Sequence, residues 1–186
     1  MRMSRRKTKR KHNAVEVVGL VAIGIFVVGI IWLAFFTQPQ TPQNPNQTTA
    51  LLPASDFALT DVDGNTFRLS DQQGKIVVLE FMRMTCSACV TEGPALADLR
   101  TKFGGDVVMV TLTVDPVGDT DSVFRNYRNQ NMKGWTAIRD TAQVYQKYSV
   151  DATPTIFIID KNGDIRYRHV GVTESSILIA EIGSLA

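Results

Sequence analysis

The sequence predicts an α/β domain of three layers, with a mixed central sheet flanked by helices. Three observations lead there. Strand and helix patterns alternate between residues 76 and 148, which asks for parallel strands joined by crossovers. Two further strand patterns, residues 155–160 and 164–170, follow one another across Lys161-Asn162-Gly163, which asks for an antiparallel pair. A helical pattern over residues 174–182 then ends the chain.

The elements before the domain have separate logics. Residues 1–13 hold seven Lys/Arg and no acid and read as a basic cytoplasmic tail. Val17 to Phe36 is a run of 20 residues without a charge. As a helix it covers ~30 Å, the thickness of the bilayer hydrocarbon. Residues 14–36 are therefore expected to form a single membrane-spanning signal anchor, with the N-terminus cytoplasmic and the rest of the chain extracytoplasmic, on the periplasmic or cell-surface side. The apolar run exceeds the h-region of a cleaved signal and no A-x-A site follows it, so retention is expected. Residues 37–54, rich in Pro, Gln, Asn and Thr, read as a flexible tether. Asn46-Gln47-Thr48 fits a glycosylation triplet, a pattern that also arises by chance.

The folded domain is expected over residues 55–186. Residues 57–69 resemble a hairpin about Asp63-Gly64, a dipeptide suited to positive φ. Ile76–Met82 is an apolar run interrupted by Glu80 and reads as a buried strand. Residues 86–103 read as a helix with Leu96, Leu99 and Phe103 on one face and Gly104-Gly105 as its stop. Residues 107–114 read as a second buried strand. A helix follows near residues 120–128, with Val123, Phe124 and Tyr127 inward, then a short strand at 135–138. Asp140 and Gln143 have the spacing of a capping box that opens a helix through Tyr148.

The charge of the chain is asymmetric. The net +2 conceals the basic tail; beyond Glu16 there are 13 basic and 17 acidic residues. A mildly acidic body argues against a nucleic-acid surface. The chain has two cysteines, Cys86 and Cys89, too few for a disulfide framework. They lie where a buried strand hands over to a helix. The first turn of a helix offers unpaired N–H groups and the positive end of the dipole, and both favour a thiolate. The first cysteine is thus suited to attack a disulfide and the second, on the same face, to resolve the product. Structural zinc would need further ligands, and only His12 and His169 are available. An inert buried pair is the other alternative. His169 itself reads as a surface strand residue.

These features resemble the TlpA-like branch of the thioredoxin superfamily, the membrane-tethered thiol–disulfide oxidoreductases. The pattern C-x-x-C-x-x-E-x-P stands as Cys86, Cys89, Glu92 and Pro94, and Thr153-Pro154 opens a strand that turns at Asn162-Gly163. The helix and strand between Val114 and Asp140 match the insertion that separates this branch from thioredoxin. The resemblance implies a thioredoxin-like fold with an N-terminal hairpin and a central helix–strand insertion. It implies Cys86 as the attacking and Cys89 as the resolving cysteine, and Pro154 as a cis-proline that exposes the backbone of Thr153 to a substrate segment. Glu80, six residues before Cys86, stands where thioredoxins carry a buried acid; it is a candidate proton acceptor for Cys89, or a charge on a sheet edge. Glu92 tunes the thiols or is a first-turn acid favoured by the helix dipole. Pro94 is expected to kink the helix.

One departure stands out. The family usually has Trp before the first cysteine; here Met84-Thr85 precede it, with the cation Arg83 behind. The expected function is dithiol–disulfide exchange on protein substrates, in the reducing direction, for cysteines in cytochrome c or copper-centre assembly. It needs no cofactor beyond the Cys86–Cys89 disulfide and no metal. The expected partners are protein thiols and disulfides, a membrane electron donor and the lipid bilayer. The alternative is a Sco-like copper-binding assembly protein, which would need His169 as a distal ligand and usually has three residues between its cysteines. A thiol peroxidase would need a P-x-x-x-T-x-x-C loop, which neither cysteine occupies.

Overall fold

A computed structural model describes residues 52–186. The basic tail, the expected anchor and all but the last residues of the tether lie outside the described residues. No helix among the described residues is long and apolar enough to cross a membrane.

In chain order the strands are β1 (Leu52–Pro53), β2 (Ala58–Thr60), β3 (Thr66–Arg68), β4 (Ile76–Met82), β5 (Val107–Thr113), β6 (Thr136–Arg139), β7 (Thr155–Ile159) and β8 (Asp164–Val170). The helices are α1 (Ser87–Phe103), α2 (Asp121–Asn131), α3 (Val144–Lys147) and α4 (Ser175–Gly183). Six strands form one sheet in the order β1-β8-β7-β4-β5-β6. Strands β4, β5 and β6 are parallel, whereas β7 and β8 run antiparallel to their neighbours, giving the expected mixed sheet.

Strand β4 explains the layering. Its side chains alternate between two cores, as the period of two demands. Val77, Leu79 and Phe81 join the hairpin residues Phe57 and Phe67 and the α3-side residues Val144 and Tyr148. Ile76 and Val78 join Leu96 and Leu99 of α1 and Leu178 and Ile182 of α4. All seven residues of β4 are buried, so the strand reads as a continuous apolar run with one polar exception, Glu80.

Four expectations change. Leu52 and Pro53, which composition assigns to the tether, pair with Ile165 and Asp164 as an edge strand. The hairpin turn is longer than Asp63-Gly64: the Asp61 carboxylate accepts the N–H groups of Asp63 and Asn65, and only Gly64 takes positive φ, at 91°. Asp140 caps, but one position later than the box requires: its oxygens accept Val144 N–H and Tyr145 N–H, each at 2.8 Å. Gln143 sits outside the helix at φ 55°, and the helix is a single turn. Val123 points outward, 45 % exposed, while Phe124 is fully buried.

Phe81 packs its ring against Tyr148 and, edge-on, Phe157, with centroids 5.5 and 5.9 Å away. Phe81→Ala is expected to destabilise the domain by ~3–5 kcal/mol through a cavity the sheet cannot close, read as a lower urea midpoint at unchanged m.

Candidate active site

Strand β4 ends at Met82, and the chain turns through Arg83, Met84 and Thr85 before Cys86 caps α1. The turn is closed by Cys86 N–H donating to the Arg83 carbonyl at 3.0 Å. Cys86 is extended (φ −88°, ψ 111°), the geometry of an N-cap, and its Sγ accepts the Cys89 N–H at 3.1 Å. A sulfur thus stands where an oxygen normally satisfies the first free N–H groups of a helix. Cys86 and Cys89 are joined as a disulfide with Cα atoms 5.3 Å apart. Cys86 is half-buried, whereas Cys89 is 2 % exposed. Only the first sulfur is open to attack or to be attacked.

The Thr153–Pro154 peptide bond is cis. The Thr153 carbonyl oxygen lies 3.3 Å from Cys86 Sγ, within reach of a thiol hydrogen once the disulfide is reduced. Pro154 is buried, and its carbonyl accepts the Gly171 N–H at 2.8 Å. The Thr153 N–H has no partner among the described residues. Beside Thr153 a polar cavity of about 260 Å³ is lined by Arg83, Val114, Tyr145, Val150 and Asp151.

Both acids are buried, Glu80 in β4 and Glu92 in α1. Glu80 is in a central strand, 3 % exposed, so the sheet-edge alternative is wrong. It lies on the face of β4 that α1 covers, opposite Thr111 of β5, whose hydroxyl donates to Oε2 at 2.8 Å. Burial pushes the Glu80 carboxyl up to about 7; the Thr111 hydrogen bond opposes this and the charge of Glu92 adds to it. Glu92 is fully buried and lies beyond the first turn of α1, so it is not the first-turn acid of the alternative reading. Its Oε2 accepts the Thr173 N–H at 2.7 Å, and its Oε1 is buried without a partner among the described residues. Burial raises its carboxyl too, against the Thr173 bond and with a contribution from Glu174. Through Gly171 and Thr173 the loop after β8 ties the cis-proline to α1. The helix continues through Pro94 to Phe103.

His169 corrects the sequence reading. It is 7 % exposed, not a surface residue, and its Nε2 lies 2.7 Å from Glu181 Oε2. The Sco-like alternative needs this ring as a distal ligand, and α4 already engages it. Among the described residues no three His, Cys, Asp or Glu side chains cluster as metal ligands. Sequence reasoning missed Thr111, Thr173 and Asp119. Asp119 is 4 % exposed and accepts the Met84 N–H at 3.3 Å. A signal existed for Thr111 and Thr113: two hydroxyls in an otherwise apolar strand must find partners.

Comparison with known proteins agrees with this geometry. The AhpC/TSA family model matches residues 52–168. The thiol-disulfide oxidoreductase ResA of Geobacillus kaustophilus is 32% identical over 159 residues, covering 83% of each chain. ResA of Bacillus anthracis is 32% identical over 120 residues, 63% of this chain and 68% of that one. Among solved structures, the pneumococcal exposed lipoprotein thioredoxin of Streptococcus pneumoniae superposes with TM-score 0.61 at 30% identity, covering 70% of this chain and 100% of that one. A DsbF homologue from Corynebacterium diphtheriae shares the fold at TM-score 0.68 and 18% identity, covering 81% of this chain and 99% of that one. A capping disulfide, a cis-proline against it and these likenesses converge: the chain belongs to the AhpC/TSA family, within its TlpA-like thiol–disulfide oxidoreductases.

Proposed function

We propose that this oxidoreductase reduces disulfides of extracytoplasmic proteins, with Cys86 as nucleophile, Cys89 as resolving thiol and Glu80 as the proton acceptor for Cys89. The observation that carries the reading is the asymmetry of the pair: a half-buried Cys86 Sγ holding a helix N–H, above a sealed Cys89 that shares its face of the sheet with a buried carboxyl.

In the reaction the Cys86 thiolate attacks one sulfur of the substrate disulfide. The other substrate sulfur leaves as a thiolate and takes a proton from solvent. Cys89 then passes its proton to Glu80 and attacks Cys86 Sγ, which expels the second substrate sulfur as a thiolate that takes a proton from solvent and leaves the Cys86–Cys89 disulfide; Glu80 then gives up its proton to solvent. Two electrons move to the substrate, so a dithiol donor must restore the pair. A membrane electron-donor protein fits that need, because a cytoplasmic nicotinamide-linked reductase would be across the bilayer from the domain. The anchor, the bilayer attachment and the extracytoplasmic location rest on the basic tail and apolar run of the sequence.

Thr153 and Pro154 form the substrate edge: the free Thr153 N–H and its carbonyl offer a strand-like pairing to a segment bearing the target disulfide. Cysteines awaiting haem or copper are the substrate class implied by the TlpA-like resemblance. Glu92 serves the thiols by fixing the loop after β8 against α1.

Three outcomes test this. Cys86→Ser abolishes exchange, while Cys89→Ser accumulates mixed disulfides whose partners mass spectrometry identifies. The reduction potential separates directions: a value near ~−270 mV supports a reductase and one near ~−120 mV an oxidant, which would overturn the proposed direction. Glu80 gives a pH signature. Its carboxyl titrates at about 7 when folded, against an ordinary 4.5. Below pH 4.5 both states hold the proton; between 4.5 and about 7 only the folded state does, so stability of the disulfide form falls as pH rises through that window, by about 3 kcal/mol. Glu80→Gln removes that slope in urea titrations. It also removes the rise of the resolving rate through pH 7, with a loss of about 10²-fold above it.

A further inference from the structure

We propose that Asp119, on the loop that opens the insertion, is a positioning residue for Cys86: its buried carboxylate holds the turn that sets the sulfur on the end of α1. The inference rests on the exchange reaction with Cys86 as the attacking sulfur.

The turn between β4 and α1 has few restraints. The Val114 N–H donates to the Met82 carbonyl at 2.9 Å, and the Cys86 N–H to the Arg83 carbonyl at 3.0 Å. Between these points the Met84 N–H meets Asp119 Oδ2 at 3.3 Å. Among the described residues this is the one side chain that hydrogen-bonds the backbone of residues 83–85. Arg83 and Thr85 are exposed, and the side-chain grip of the core on the turn comes through Met84, which packs beside Met82, Cys89 and Phe124.

The acceptor is itself rigid. Thr113 Oγ1 donates to the same Asp119 oxygen, and Asp119 N–H donates to the Asp115 carbonyl at 2.9 Å. Asp115 accepts the Gly118 N–H at 3.0 Å. Arg139 of β6 donates to the Pro116 carbonyl at 3.1 Å and to Asp121 at 3.0 Å. The insertion thus presents a carboxylate fixed from several sides, sealed at 4 % exposure, to a turn whose backbone has no other side-chain hydrogen bond among the described residues.

Position and charge act on Cys86 with opposite sign. Holding the turn keeps Sγ on the Cys89 N–H, 3.1 Å away, which favours the thiolate. A negative charge nearby disfavours it. Asp119→Asn keeps an acceptor oxygen and removes the charge; Asp119→Ala removes both. If position dominates, Asp119→Ala lowers the thiolate fraction of Cys86 at pH 7 and its attack rate on a small aromatic disulfide by about tenfold, while Asp119→Asn stays within about threefold of the parent. The thiolate is read from its ultraviolet absorbance against pH, in the full-length reduced protein in detergent. Equal loss in both variants, a gain in Asp119→Ala, or a folded Asp119→Ala with the parent's titration each overturns the proposal. Should Asp119→Ala not fold, Thr113→Val, which frees the carboxylate without removing it, is expected to lower the thiolate fraction in the same direction; no change overturns it. Cys86→Ser that retained exchange would instead sink the assignment of the nucleophile.

Discussion

The structure depends on a helix whose first free amide is satisfied by a sulfur. Helix ends need partners for their N–H groups, and the common solution is an oxygen that has no further chemistry. Here the Cys89 N–H points at Cys86 Sγ, so the capping atom is also the redox atom. That choice ties fold and chemistry together. The sulfur must be placed by a strand end on one side and by a proline loop on the other. It must also remain half open to solvent. The buried sheet supplies the first requirement, and the antiparallel pair β7–β8 brings Thr153 to the second.

The proposed reaction gives a reason for acids in an apolar core. A second thiol sealed from water cannot give its proton to solvent directly. In the proposed reaction the receiver is a carboxylate whose proton affinity is raised by its surroundings, and Glu80 has that character because its strand is covered on both faces. Thr111 moderates the effect without reversing it. Glu92 shows a different use of burial. Its charge is disfavoured, yet one oxygen ties a distant backbone loop to α1, so its contribution is architectural as well as electrostatic.

Much of the architecture was legible because its signals are local. The β4 run, the Lys161-Asn162-Gly163 turn and the strand–helix placement of the cysteines all lie within short windows. The pairing of Glu80 with a buried environment was legible because an acid in an unbroken apolar run has nowhere polar to go. What was not legible depends on chain segments far apart. His169 reads as exposed from its polar strand neighbours, and only α4 folding back with Glu181 buries it. Asp119 is 35 positions from Met84, and nothing near either residue announces the other. Leu52 and Pro53 look like tether because a two-residue strand has no periodicity to detect. The Asp140 cap was correct in its residue and wrong in its register, since a left-handed Gln143 shortens the helix to one turn.

The small edge strand has a mechanical meaning. Leu52 and Pro53 lie beside Ile165 and Asp164, at the start of β8, whereas the sulfurs sit beyond its other end, where Val170 faces Thr155. Tension arriving along the preceding chain is therefore delivered to the outermost strand, several residues from the redox turn. It would peel two residues from a border before it strained any bond around Cys86. Proline at that border also withholds an amide from neighbouring chains, which guards against lateral sheet growth.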